Sequence, residues 1–199
     1  HGVRFTNFYA NSFRTDRGLV SILSGYPSQP TASIMKYPHK SQSLPSIPRT
    51  LKKLGYDLKY YYGGDADFTN MRSYLHSSGI KNIVSQDDFP NTPKFKWGVH
   101  DGYLFERVIK DLESGTRTPF MYIIQTSSSH EPFEVPTGGK TFDDAFLNSV
   151  AYTDWCLSRF VNDLKESEYW NNTLVVLVAD HAMRWPQSRT NYDVERYRI

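Results

Sequence analysis

The sequence predicts an α/β fold: a mostly parallel central sheet with helices on both faces, truncated at both ends. Three observations predict it. Short runs of apolar β-formers occur at 56–62, 120–125 and 173–179, amphipathic helical patterns lie between them, and Gly, Pro and polar clusters mark the joins. Strands alternating with helices imply crossover connections, hence parallel strands covered on both faces.

Taken in order, 3–9 alternates apolar and polar residues and reads as a strand or extended segment. Residues 16–24 read as a helix ended by Gly25 and Pro27, and the Pro-, Ser- and Thr-rich stretch 27–48 reads as a long loop. Ser46 caps a helix running to Leu54, with Pro48 in its first turn and Gly55 after its end. Then follow a strand at 56–62 closed by Gly63-Gly64, a helix at 67–77, a short strand at 80–84 and a polar loop at 86–97. Leu104, Phe105, Val108, Ile109 and Leu112 mark an amphipathic helix over 101–114. A strand at 120–125, a loop at 126–140, a long helix at 142–166 and a fully buried strand at 173–179 complete the pattern. Gly63, Thr126 and Asp180 all fall just past strand ends, the edge where parallel sheets bind ligands.

The 199 residues suit one domain, 1–199, with a substantial core. A net charge of +2 gives no electrostatic case for nucleic acid. The single cysteine, Cys156, excludes an internal disulfide. No apolar run reaches the roughly 20 residues a bilayer span needs, and no signal peptide is visible. His1 opens straight into a strand-like pattern and Ile199 stops as another apolar segment begins, so the sequence reads as a fragment of a longer polypeptide.

Two stretches carry the chemistry. Asp180-His181 offers a carboxylate oxygen and an imidazole nitrogen at one strand exit, as a divalent metal site requires. Arg14-Thr15-Asp16-Arg17-Gly18 puts a hydroxyl and two guanidiniums at the start of a helix, where free backbone N–H groups favour an anion. Together they point to metal-assisted phosphoryl or sulfuryl transfer through a covalent threonine. The plainer alternative is that Thr15 only caps its helix and that Asp180 caps the next turn beside a surface histidine. His100 and Asp101 sit at a helix start, where Asp101 reads as a cap.

These landmarks, with 2–10, 63–68, Trp97-Gly98-Val99-His100-Asp101, His130-Glu131-Pro132-Phe133 and Tyr152-Thr153-Asp154, occur in an order and spacing that resembles the lipoteichoic acid synthase-type branch of the sulfatase and alkaline phosphatase superfamily. The resemblance runs through nearly the whole chain. It implies Thr15 as nucleophile, Thr15, Asp180 and His181 as metal ligands, and His130 as head-group contact and general acid. It further implies that Gly64, Asp65 and Arg72 belong to the segment cradling the glycerol phosphate, and that Arg14 and Arg17 flank the anion. Mn²⁺ is the expected ion, with Mg²⁺ or Zn²⁺ as alternatives. The family supplies a further ligand from a glutamate upstream of the threonine; no Asp or Glu precedes Asp16 here, so the site is expected to be incomplete. Gly63, Thr69 and Ala182 stand where relatives have His, Trp and Gly, which leaves the head group open.

The function so implied is transfer of a glycerophosphoryl or related head group from a phospholipid to an envelope glycan or polymer hydroxyl. It would take place outside the cytoplasm, in the periplasm or on the outer face of the cell membrane, within a bacterial membrane-anchored parent. Alternatives are a metal-dependent phosphodiesterase, a phosphoethanolamine transferase, or an inactive domain that binds an envelope ligand. A true sulfatase is disfavoured, because threonine cannot yield the formylglycine aldehyde that such enzymes make from Cys or Ser.

Overall fold

The computed structural model describes residues 2–136, 142–183 and 190–199. Its centre is a parallel three-stranded sheet. β1 (Asp57–Tyr62) lies between β2 (Asn82–Val84) and β3 (Phe120–Gln125), with Tyr60 opposite Ile83 on one side and Ile123 on the other.

Period-two alternation along the strands feeds two separate cores. On one face Leu58, Tyr60 and Tyr62 pack with Met121 and Ile123 against α1 (Thr15–Ser24), α3 (Ile47–Lys53) and α4 (Met71–Ser77). On the other, Tyr61, Tyr122 and Ile124 meet α5 (Asp101–Glu113) and α6 (Ala145–Lys165). A short helix, α2 (Pro38–Ser41), interrupts the long loop before α3. The three layers confirm the α/β class expected from the sequence.

Each helix forms for a legible reason. α1 buries Leu19, Val20 and Leu23, and ends at Gly25, whose φ of 61° places it in the left-handed region. In α3 the Ser46 hydroxyl accepts from Arg49 N at 3.2 Å. α5 turns Leu104, Phe105, Val108 and Leu112 inward, spacings of one, four and eight residues that keep one face apolar. α6 starts at Asp144, whose carboxylate accepts from Leu147 N at 2.9 Å, and it buries Cys156, Phe160 and Leu164. A hydroxyl pair, Ser24 with Tyr74 at 2.7 Å, joins α1 to α4 inside the core.

Two expected strands are absent from the sheet. Residues 3–9 form no strand: Val3 is 84 % exposed, and the only pairing of the segment among the described residues is an isolated antiparallel bridge from Tyr9 to Arg198. Residues 173–179, expected as a fully buried strand, form no ladder and leave Leu174 87 % and Val176 70 % exposed. Only Val175 packs, partly buried, against the α5–α6 side. β-propensity states what fits a pleated surface; the ladder itself needs a neighbouring strand, which composition does not specify.

The strand ends are closed by glycines. Gly98 has φ of 100°, and a Cβ there would overlap the Gly63 carbonyl. This contact lets Val99 N bond Gly63 O at 2.8 Å and seats the loop before α5 on the end of β1. Gly25→Ala should cost roughly 1–2 kcal/mol, the price of a side chain in the left-handed region with open space around it. Gly98→Ala adds a backbone overlap to the same conformational cost and should lose clearly more. Denaturant unfolding of the two variants beside wild type checks that order; equal losses would contradict the packing described.

Candidate active site

Thr15 is the first residue of α1, and the N-cap position belongs to Arg14, which makes no side-chain cap. The capping alternative for Thr15 is therefore not what the structure shows. Its half-buried hydroxyl sits on the first turn, where backbone N–H groups lack intrahelical acceptors. Gly18, one turn on along the same face, is where the chain brings Asp180: a Cβ at Gly18 would overlap the Asp180 carbonyl oxygen. On the other side of Thr15, Ala182 N donates to Ser12 O at 2.8 Å. Two backbone contacts thus bracket the threonine and hold the Asp-His pair against its helix. The glycine of Arg17-Gly18 is a functional position that sequence reasoning did not single out, although a glycine inside a helix start is the available signal.

The His181 and Asp180 side chains approach each other. His181 Nδ1 lies 2.8 Å from Ala182 O, and a carbonyl only accepts, so Nδ1 carries the proton and Nε2 keeps its lone pair. That Nε2 is 3.9 Å from Asp180 Oδ1. Ligand atoms each about 2.0–2.2 Å from one ion can stand that far apart. The donor set of carboxylate, imidazole and hydroxyl suits a divalent cation, yet no group of three His, Cys, Asp or Glu side chains among the described residues closes around one point. The residues fit part of a metal site.

Asp180 also reaches the end of β1. Tyr62 is pushed up to about 12 by burial and by the nearby Asp65 and Asp180 carboxylates, and buried Tyr60 is raised as well, with Asp180 contributing. Asp65 accepts from Asp67 N at 2.8 Å. Gly64 is a point of close packing: a Cβ there would overlap the Tyr62 phenol and the Trp97 carbonyl. Arg72 is paired with Asp67 at 2.8 Å. Arg17 donates to Pro30 O at 3.1 Å and lies over the Phe13 ring, so it braces the loop. Arg14, with its side chain about half exposed, pairs through Nε with Asp16 at 3.2 Å.

A second cluster forms where the loops after β1, β2 and β3 meet. His130 stacks on Trp97 with centroids 4.1 Å apart, and Trp97 meets Phe68 edge-on at 5.6 Å. Glu131 O receives Trp97 Nε1 at 2.6 Å and His130 Nδ1 at 3.0 Å, fixing the exposed histidine with Nε2 unengaged by that bond. Trp97 lies beside Phe68, so an aromatic wall exists although Thr69 replaces the tryptophan expected there.

Asp101 is wholly buried, and it does not cap its own helix as expected. Its carboxylate accepts from Ser127 N at 2.8 Å, Ser128 N at 3.2 Å and Thr153 Oγ1 at 2.8 Å, while its own N–H goes to Ser128 Oγ at 2.9 Å. The cap of α5 is thus lent by the loop after β3. Burial raises the Asp101 carboxyl above its ordinary value although these donors pull the other way. Burial also holds the His100 imidazole below the usual histidine value.

A parallel sheet between two helical layers is the architecture of the alkaline phosphatase superfamily. A solved protein of that superfamily from Vibrio parahaemolyticus superposes with a TM-score of 0.85 at 30 % identity, covering 97 % of this chain and 49 % of its own. The family model described as Sulfatase matches residues 1–195, and the chain belongs to that family. Phosphoglycerol transferase I of Xanthomonas campestris is 29 % identical over 150 residues, 66 % of this chain and 21 % of the transferase. The lipoteichoic acid synthase-like protein YvgJ of Bacillus subtilis is 25 % identical over 191 residues, 89 % of this chain and 30 % of its own. The chain therefore spans about half of the solved relative, and its matches span less than a third of the curated ones.

The His100 shift has a direction in pH. An unfolded chain binds a proton on this histidine near pH 6.5, whereas the native site resists it, so the histidine's share of stability is present above that pH and is lost as pH falls toward the lower native value. His100→Phe should flatten the unfolding free energy just below pH 6.5 relative to wild type. Parallel curves for the two proteins between pH 7.5 and 5 would contradict the burial of a neutral ring.

Proposed function

We propose that this chain carries the nucleophile and part of the metal site of a phosphoglycerol-type transferase of the cell envelope. The observation that supports it best is the bracketing of Thr15 by Asp180 at Gly18 and by Ala182 at Ser12. The relatives' names, phosphoglycerol transferase and lipoteichoic acid synthase-like protein, supply the substrate class. The donor in this reading is a phospholipid head group, and the acceptor is an envelope glycan or polymer hydroxyl outside the cytoplasm. Among the described residues no helix is long and apolar enough to cross a membrane.

In the first half-reaction Thr15 Oγ bonds to phosphorus while the bond from phosphorus to the diacylglycerol oxygen breaks. The hydroxyl proton leaves to solvent, and the departing alkoxide takes the Nε2 proton of a His130 imidazolium, whose Nδ1–H stays hydrogen-bonded to Glu131 O. The product is a phosphothreonine diester. In the second half-reaction the acceptor oxygen bonds to phosphorus, its proton returns to His130, and Thr15 regains a proton as its oxygen leaves. Asp180, His181 and Thr15 would hold a divalent ion, Mn²⁺ or else Mg²⁺ or Zn²⁺, which lowers the hydroxyl pKa and polarises the phosphoryl oxygens. The first-turn N–H groups of α1 and the exposed part of Arg14 favour the anion at the same spot. Threonine at this position also fits phosphoryl transfer better than sulfate ester hydrolysis, since it offers no route to an aldehyde nucleophile.

Intact mass after incubation of the full-length protein with Mn²⁺ and phosphatidylglycerol should show a glycerophosphoryl adduct mapping to Thr15. Thr15→Ala should lose the adduct and lower turnover by at least about 10³-fold, with metal binding retained by calorimetry. Asp180→Ala should lose both. Full turnover in Thr15→Ala would sink the assignment. Gly18→Ala, which touches no substrate in this reading, should still cost about 100-fold in turnover by pushing Asp180 out of place. Its circular dichroism should match wild type, and wild-type turnover in this variant would show that the bracket is irrelevant.

A further inference from the structure

Next to His130 lies a cavity of about 20 Å³ lined by Trp97, His100, Ser127, Ser128, His130 and Glu134, with Phe95 behind the His100 ring. Its size suits about one water-sized group. His100 is 3 % exposed, and its Nε2 is buried without a hydrogen-bond partner among the described residues. A buried polar atom left this way costs on the order of 1–3 kcal/mol unless something meets it.

The tautomer follows from the neighbours. Ser128 Oγ accepts the Asp101 N–H, and the acceptor described for its own hydroxyl hydrogen is His100 Nδ1, at 3.2 Å. With the Ser128 hydroxyl as donor Nδ1 accepts, and the proton of the neutral ring is then on Nε2. Burial opposes a second proton, so the ring offers a neutral N–H. Asp101 holds Ser128 through its backbone N–H, which makes the arrangement rigid.

We propose that His100 is a specificity-determining residue: its Nε2–H donates to a hydroxyl oxygen of the head group, in a one-oxygen subsite beside His130. This rests on the transferase reading above for the nature of the head group. The chemistry narrows the ligand further. A phosphate is too large for the cavity and is better met by a cation. An ammonium group would face the N–H donor with donors of its own. A hydroxyl satisfies both sides, since it accepts from His100 and donates to the Glu134 carboxylate that lines the same cavity. The site therefore selects a polyol phosphate over an aminoalkyl phosphate or a simple alkyl phosphate.

The test titrates the full-length protein, with selectively ¹⁵N-labelled histidine, with glycerol phosphate, ethanolamine phosphate and propyl phosphate. The free protein should show His100 as the Nε2–H tautomer, and glycerol phosphate alone should shift that signal. Glycerol phosphate should bind about 10-fold more tightly than propyl phosphate, and His100→Phe should shrink the ratio to about 2-fold or less. An Nδ1–H tautomer in wild type overturns the proposal without any variant, and so does an unchanged ratio in a folded His100→Phe. A His100 signal indifferent to all three ligands overturns it too, whatever the transfer assay gives. Failure of the Thr15 adduct together with a hydroxyl-dependent His100 response would instead sink the covalent mechanism and leave the subsite standing.

Discussion

Everything at this site depends on backbone meeting backbone where a side chain would stand. The Asp180 carbonyl lies where a Cβ of Gly18 would be, and the Gly63 carbonyl lies where one of Gly98 would be. The first contact sets the Asp-His pair against the helix that begins at Thr15. The second seats the Trp97 loop on the end of β1. Such contacts carry no flexible atoms, so the positions they fix inherit the rigidity of what lies behind them. Behind Gly18 that is the core of α1, through Leu19, Val20 and Leu23, locked to α4 by Ser24 and Tyr74. Reactive groups held to fractions of an ångström need support of this kind.

The other anchor is electrostatic. A wholly buried carboxylate is costly unless its oxygens are met, and Asp101 is met by two backbone N–H groups and the Thr153 hydroxyl. Its raised pKa shows that burial still outweighs those donors. The expense joins three elements at one atom pair: the start of α5, the loop after β3 and the middle of α6. The loop so fixed is the one that goes on to His130. Between the two anchors lies Tyr62, whose phenol is raised by burial and by both the Asp65 and the Asp180 carboxylates.

What could be read from the chain follows from this division. α1, α5, β1 and β3 were legible because their apolar spacing is a local property, and Gly25 and Ser46 announce their ends within a few residues. Thr15, Asp180 and His181 were legible as types, and the structure sets the Asp180 backbone against the helix that Thr15 begins. Gly18 was not, since the need for a missing Cβ arises only from a partner 162 residues away in sequence. Asp101 read as a helix cap for the same reason: the pattern shows the helix it precedes and hides the loop it binds. His100 read only as part of a helix start, because its burial is purely tertiary. The stretch 173–179 failed in the opposite sense, with a strong local pattern and no ladder.

That last failure bears on the chemistry. Asp180 directly follows 173–179, so the course of this segment helps to decide where the carboxylate points. From the α1 side it is fixed by Gly18 and Ser12. From the sheet side only Val175 holds it, while Leu174, Val176, Leu177 and Val178 keep a row of aliphatic surface in solvent. Apolar surface of that extent gains free energy when covered, at roughly 25 cal/mol per Å². In the transferase reading, an ion held by Asp180 and His181 would favour whichever course of 173–179 presents both ligands, since binding stabilises the state that binds.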